Sequence, residues 1–244
     1  MRVLLVGASA GVGRALSEML AARGDDLLLV ASDIRDLEPL ASHLRLIYGI
    51  QVAIVAADAG DLDEFLGKIL SAADRFGAVQ GMFFPIGTSL DADVGTLSLD
   101  EMRRIITTNL LAVIAVADHF LPRLLAENYG CIVGFGSIAA VRGRRANVAY
   151  AAAKRGLVSY FESLRHITAK SKVRVQLYQL GYVATQRTYG RKLLFPPAQP
   201  AKIAKVVVQN LDRDIGTRYL PRYWALVTWI VSVLPWVIFK RLNF

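Results

Sequence analysis

The sequence predicts one α/β domain, a doubly wound parallel sheet, carrying an apolar C-terminal tail. Three observations carry that prediction. Short apolar runs alternate with amphipathic helical stretches through most of the 244 residues, a glycine-spaced turn follows the first run, and sixteen residues from Trp224 to Phe239 bear no charge. Strands that are apolar throughout and separated by helices belong to parallel sheets covered on both faces.

The elements follow in order. Arg2–Val6 reads as a strand, and Gly13–Arg23 as a helix with Ala15, Leu16, Met19 and Leu20 on one face. Asp26–Ala31 is a second strand, Leu37–Tyr48 a helix and Gln51–Ala56 a third strand. Leu62–Arg75 is helical and Gly81–Phe84 makes a fourth strand. Leu99–Glu127 is a long helix, Gly130–Phe135 a fifth strand, Val148–Thr168 a second long helix and Val173–Tyr178 a sixth strand. Right-handed crossovers wind such a chain into a Rossmann-like sheet.

The turn Gly7-Ala8-Ser9-Ala10-Gly11-Val12-Gly13 lies between the first strand and the first helix. Glycine lets backbone approach a pyrophosphate and enter the helix without a Cβ clash, and the helix N-terminus then offers free N–H groups and partial positive charge. At the end of the second strand, Ser32, Asp33 and Arg35 stand where an adenosine ribose would lie. An acidic residue there accepts from the ribose 2′-OH of NAD, and an arginine accommodates the 2′-phosphate of NADP. Asp33 tilts the expectation slightly toward NAD, with Arg35 pulling toward NADP.

Ser137 follows the fifth strand, while Tyr150 and Lys154 are one turn apart on the following helix and share a face. A phenol with a pKa of about 10 is a poor base at neutral pH. An ammonium about 4 Å away contributes about 4 kcal/mol at an effective dielectric of about 20, which draws that pKa toward the working range of an acid/base catalyst. Ser137 can hold a substrate oxygen by a hydrogen bond.

The glycine turn with spacing G-x-x-x-G-x-G, Ser137 and Tyr150-x-x-x-Lys154 together resemble the short-chain dehydrogenase/reductase family, from Val3 to about Thr185. The resemblance implies that Ser137 positions the carbonyl, Tyr150 is the general acid/base and Lys154 binds the nicotinamide ribose. It implies that Asn109 bends its helix around a water completing the proton relay, and that Asp58 lies beside the adenine. It also implies a homodimer or homotetramer paired through Leu99–Glu127 and Val148–Thr168. Two positions depart from the family pattern. The usual N-A-G after the fourth strand is Pro85-Ile86-Gly87, and the usual P-G after the sixth is Leu180-Gly181, followed by Val183 and Thr185. Gly87, Gly181, Val183 and Thr185 are nonetheless expected to touch the cofactor. The lost asparagine keeps open an alternative, a nucleotide-binding scaffold or redox sensor without turnover.

Hydrophobic residues make up 54% of the chain and charged ones 20%, which suits a large core and excludes disorder. The single cysteine, Cys131 in an apolar run, excludes an internal disulfide and points to a core side chain in a reducing, cytoplasmic setting. No metal-ligand pattern is present. The net charge of +9 gathers at Arg142-Gly143-Arg144-Arg145, at Arg187 to Lys192 and near the C-terminus. Without a recognition helix or an aromatic-basic module, an anionic small molecule or an acidic membrane surface is expected rather than nucleic acid.

The organisation expected is a catalytic domain over 1–220 and an apolar, basic-flanked segment over 221–244. As one helix the uncharged stretch would reach about 24 Å, short of a hydrocarbon core of about 30 Å, and Pro235 would bend it. An interfacial or membrane-embedded hairpin anchored by Trp224, Trp229 and Trp236 is expected, or else burial against a partner subunit. Between Thr185 and Pro200, cations followed by Leu193-Leu194-Phe195 could hold an anionic head and an apolar chain, or could face water with the apolar residues packed on the body. The tail resembles bacterial membrane-associated family members related to the decaprenylphosphoryl-2-keto-ribose reductase, which implies a small-molecule or lipid-linked carbonyl or alcohol as substrate.

Overall fold

The computed structural model describes residues 1–186 and 188–242. Seven strands form one parallel sheet in the order β3-β2-β1-β4-β5-β6-β7: β1 (Arg2–Val6), β2 (Asp26–Ala31), β3 (Val52–Ala56), β4 (Gly81–Phe84), β5 (Gly130–Ser137), β6 (Val173–Leu180) and β7 (Thr217–Leu220). All six pairings are parallel. The order reverses between β1 and β4, so their carboxyl ends diverge and open a crevice, the place where ligands bind in doubly wound sheets.

Helices cover both faces, and the buried apolar residues fall into two clusters, one on each side of the sheet. On one side α3 (Leu62–Phe76), α5 (Ala112–Glu127) and α6 (Val148–Thr168) meet Leu4, Leu28, Met82 and Ile132. On the other side α1 (Gly11–Ala22), α2 (Ile34–Tyr48) and α7 (Pro200–Gln209) meet Val3, Leu27, Phe83 and Val133. Successive strand residues therefore bury opposite faces, which is why the strands read as continuous apolar runs. Cys131 is buried, and burial pushes its thiol up to about 12, so it is an inert core side chain.

The structure differs from the expected elements in several places. α1 begins at Gly11 rather than Gly13, and α2 at Ile34, with Asp33 capping it through the Arg35 N–H. Leu99–Glu127 is not one regular helix: a π turn over Thr107–Leu111 separates α4 (Leu99–Ile106) from α5. Two elements carried no strong sequence pattern, α7 and the edge strand β7, whose residues Thr217 and Arg218 are exposed. Beyond β7 the uncharged stretch is interrupted at Pro235, where the sequence leads one to expect a bend. α8 (Trp224–Val233) stops before Pro235 and α9 (Trp236–Phe239) follows. Among the described residues, the helical stretch long and apolar enough to cross a membrane is Leu99–Glu127, and it lies against the sheet with half its most apolar window buried.

Candidate active site

The turn from β1 into α1 is closer than side chains permit. A Cβ on Gly13 would stand 1.8 Å from the Gly7 carbonyl oxygen, and one on Gly7, at φ 95°, would stand 2.8 Å from the Ile86 backbone. The Gly7 and Ala8 N–H groups donate to the Val30 carbonyl at 2.8 and 3.0 Å, fixing the turn on β2. Ala10 caps α1 without a side-chain acceptor, and its first turn has no acidic residue. The first-turn N–H groups thus face the crevice with the positive end of the helix dipole behind them. That cradle fits the pyrophosphate of a dinucleotide.

A cavity of about 330 Å³ on one side of the turn is lined by Gly7, Ser9, Ala10, Ser32, Asp58 and Gly87. A larger hollow meets Gly11, Val12, Val183 and Thr185. Gly13 lines neither; it is buried, and its role is to let α1 start against the Gly7 carbonyl. Asp33 and Arg35 also lie outside those walls. Their side chains pair in the open at 2.6 Å, and the guanidinium holds the Asp33 carboxyl down at about 2. Asp58 accepts from the Gly60 N–H and pairs with Arg104 at 2.9 Å.

Across the switch point a third cavity, about 300 Å³, gathers Gly87, Ser137, Tyr150, Lys154, Gly181, Val183 and Thr185. Packing explains this convergence. Gly134 on β5 leaves room for the Phe161 ring, which a Cβ would meet at 2.4 Å, so α6 lies close on β5 and its first turns overhang the strand end. Lys154 is 3% exposed, and its Nζ donates to the Ile86 and Phe135 carbonyls at 3.2 and 3.1 Å. The Ser137 Oγ accepts from the Ala139 N–H at 3.2 Å, and among the described residues its own proton meets no protein acceptor. That proton is available to a substrate oxygen.

Asn109 does not line the cavity but lies directly behind Gly87, where a Cβ would come within 3.0 Å of its Oδ1. It is fully buried in the π turn. Its Nδ2 donates to the Ile105 carbonyl at 2.9 Å and to the Thr88 carbonyl at 2.7 Å. A π turn frees a helical carbonyl, and here the Asn109 amide satisfies one while pinning the β4–α4 loop.

One supporting residue was not legible in the sequence. Asp93, 1% exposed, accepts from the Ala149 and Tyr150 N–H groups at 2.9 Å each, and its carbonyl accepts from Val148 at 3.2 Å. Asn147, at the N-cap position of α6, adopts φ 59° and makes no side-chain cap bond. A loop 56 residues away in sequence therefore closes the helix that carries Tyr150. Asp93→Ala strands two partly buried donors and is expected to cost about 1–3 kcal/mol in urea unfolding. It should lower kcat while leaving cofactor affinity within twofold. A variant with unchanged kcat would make Asp93 a purely structural cap.

Gly181 lines the cavity, but its missing Cβ serves another residue: the Trp224 indole stands where that atom would be, 1.8 Å from Nε1. Tyr182, Phe195 and Tyr223 complete an aromatic cluster around Trp224. The segment after β6 is thereby locked to the start of the tail. In the loop above the cavity, Arg191 pairs with Asp91 at 2.8 Å, Leu193 faces the cavity, Phe195 packs on the aromatic cluster and Leu194 is exposed. Arg187 lies outside the described residues, as do Asn243 and Phe244 at the end of the tail.

Comparison with known proteins agrees with this fold. A family model described as short chain dehydrogenase matches residues 1–192. An uncharacterized oxidoreductase of Mycobacterium tuberculosis is 28% identical over 237 residues, covering 96% of this chain and 94% of its own. An NADP-dependent 3-hydroxy acid dehydrogenase of Schizosaccharomyces pombe is 28% identical, covering 86% of each. A solved short-chain dehydrogenase from Sphingobium yanoikuyae in complex with NADPH superposes with a TM-score of 0.83 at 24% identity, covering 96% of both chains.

Proposed function

The chain belongs to the short-chain dehydrogenase family, and from that premise we propose that Tyr150 moves the proton while Ser137, Lys154 and Asn109 position the reacting groups. It is an NAD(P)-dependent oxidoreductase interconverting a carbonyl and an alcohol. The observation that carries the assignment of roles is the single cavity shared by Ser137, Tyr150 and Lys154 beside the glycine cradle.

The cofactor would rest its pyrophosphate on Ser9 to Val12 at the start of α1, and its nicotinamide ribose near Lys154. When bound, it supplies or accepts the hydride. In reduction, the Ser137 hydroxyl donates to the carbonyl oxygen and holds it against Tyr150. The Tyr150 hydroxyl gives its proton to that oxygen as the alcohol forms; in oxidation it takes the proton back. The buried Lys154 ammonium favours the phenolate that remains between those steps. Asn109, held by the Thr88 and Ile105 carbonyls, keeps the π turn in place beside Gly87 for the relay that refills the phenol.

NAD is the proposed cofactor of choice. The Asp33 carboxylate, with a pKa of about 2, stays charged throughout the working range and would repel a 2′-phosphate. The lowered value means that this preference is present above about pH 4 and fades only as pH falls toward 2. Asp33→Ala, which leaves Arg35 unmasked, is expected to raise the NADPH/NADH ratio of kcat/KM by at least about tenfold. A wild-type enzyme that already favours NADPH overturns the preference.

The body over 1–220 is proposed to catalyse and the segment over 221–244 to dock on the inner face of a membrane, as part of a homodimer or homotetramer paired through α4–α5 and α6. A hydrophobic or lipid-linked substrate would then reach the cleft from that face. α8 has ten residues, about 15 Å, which suits lying in an interface rather than crossing it. Leu226, Trp229 and Val233, spaced to share one face of α8, stand 59–63% exposed, and Trp236 on α9 is 65% exposed. The full chain is expected to sediment with phosphatidylglycerol vesicles, and Trp229→Ser with Trp236→Ser to weaken that partition at least about tenfold. A full chain that stays in the supernatant rules out the docking.

A further inference from the structure

Three cations crowd the loop between β5 and α6, and the structure gives them different work. Arg142 is committed to the tail. It donates to the Val231 and Leu234 carbonyls at 2.8 and 2.6 Å, with its guanidinium 3.9 Å from the Phe239 ring centroid. Arg145 is exposed. Arg144 lines the catalytic cavity together with Ser137 and Tyr150, and also lines a second cavity of about 500 Å³ between this loop and Trp236, Phe239, Lys240 and Leu242. It is thus the residue at which the catalytic cleft and the tail cavity meet. The loop's root is fixed by the Arg155 Nη1, which donates to the Ala140 and Val141 carbonyls at 3.2 Å each.

Among the described residues, the other charges facing the cleft are already engaged. Lys154 is held by two carbonyls, and Arg191 is neutralised by Asp91. Arg144 differs. Its Nε is shielded from solvent with no acceptor, and among the described residues no carboxylate lies within ion-pair distance. A shielded guanidinium N–H without an acceptor is costly, and an anion that offers two oxygens removes that cost with a bidentate pair. The cavity beyond it is walled by Trp236, Phe239 and Leu242, with Lys240 and Arg145 at its edge.

We propose that Arg144 is the specificity-determining residue of this oxidoreductase, selecting substrates that carry a carboxylate or phosphate near the reacting carbonyl and an apolar chain that runs into the tail cavity. The proposal rests on the oxidoreductase reading above and adds the substrate class. Recognition by Arg144 leaves the proton and hydride steps untouched, so its loss changes which ketone is used rather than whether ketones are used.

The test uses the full chain, with 3-oxooctanoate and its methyl ester as paired substrates. Wild type is expected to favour the acid in kcat/KM by at least about tenfold. Arg144→Gln should lose that preference through KM, with the ester and the cofactor KM within twofold of wild type, and Arg144→Lys should recover part of it. An acid/ester ratio that is the same in wild type and Arg144→Gln overturns the proposal. Calorimetry with octanoate, octyl phosphate and methyl octanoate on the cofactor-saturated protein separates this from failure of the oxidoreductase reading. If no ketone is turned over, that reading fails, and Arg144 is judged on binding alone. Tighter binding of octanoate marks a carboxylate ligand and tighter binding of octyl phosphate a phosphate ligand, each lost in Arg144→Gln. Anions that bind no better than the neutral ester, or that bind Arg144→Gln equally well, overturn the proposal.

Discussion

Tyr150→Phe is expected to lower kcat by about 10³-fold or more while NAD(P)H still binds. Positioned general acid/base groups contribute roughly 10²–10⁴ to a rate, and the variant removes the proton without removing the ring. The fold gives no reason for collapse, because the start of α6 is secured by Asp93 on backbone groups that phenylalanine also possesses. Circular dichroism and cofactor fluorescence titration should match wild type, so the loss belongs to chemistry. The few turnovers that remain should lose the limb of the pH–rate profile that a phenol contributes. A Tyr150→Phe enzyme within tenfold of wild type would leave the proton transfer to another group, whereas a wild type that turns over no carbonyl would restore the reading of a nucleotide-binding scaffold.

The second large effect falls on the cofactor. Gly13→Ala places a methyl group 1.8 Å from the Gly7 oxygen and 2.8 Å from its carbonyl carbon, both backbone atoms that cannot swing aside. α1 must lift away from the turn, and the N–H groups it presents move with it. Stability should fall by about 1–3 kcal/mol, the range for overpacking a tight site. NAD(P)H affinity should fall by at least about 100-fold, the equivalent of losing about two charge-assisted hydrogen bonds. Gly67, exposed within α3 with open space around it, is the control: Gly67→Ala should stabilise by about 0.5–1 kcal/mol and leave binding unchanged. If Gly13→Ala binds the cofactor as wild type does, the pyrophosphate does not rest on α1.

Much of the candidate site was legible because its parts are local. Tyr150 and Lys154 are four residues apart, and helical pitch alone puts them on one face. Ser137 ends a strand whose apolar run could be read directly. The glycine turn was visible between a strand and a helix, though Gly13 turned out to shape the cradle rather than line it. The π turn around Thr107–Leu111 was not readable from periodicity, since a single inserted residue leaves the apolar pattern nearly intact. α7 has Pro200 at its first turn as a start mark, yet its ten residues give only a short stretch of helical periodicity. β7 has an exposed, charged start, as edge strands often do, and so lacked the apolar run that marked the others.

The sequence by itself determined the alternation of strands and helices, the glycine turn at the start and the spacing of the side chains proposed to react. Backbone sterics and helical pitch act over a few residues and leave a periodic imprint. Only the tertiary structure decided that Asp93 closes the helix of Tyr150, that Trp224 fills the space Gly181 leaves, and that Arg144 rather than Arg142 faces the cleft. Those contacts join segments tens of residues apart. They depend on where right-handed crossovers set each loop at the carboxyl edge of the sheet, and no pattern in the chain records that placement.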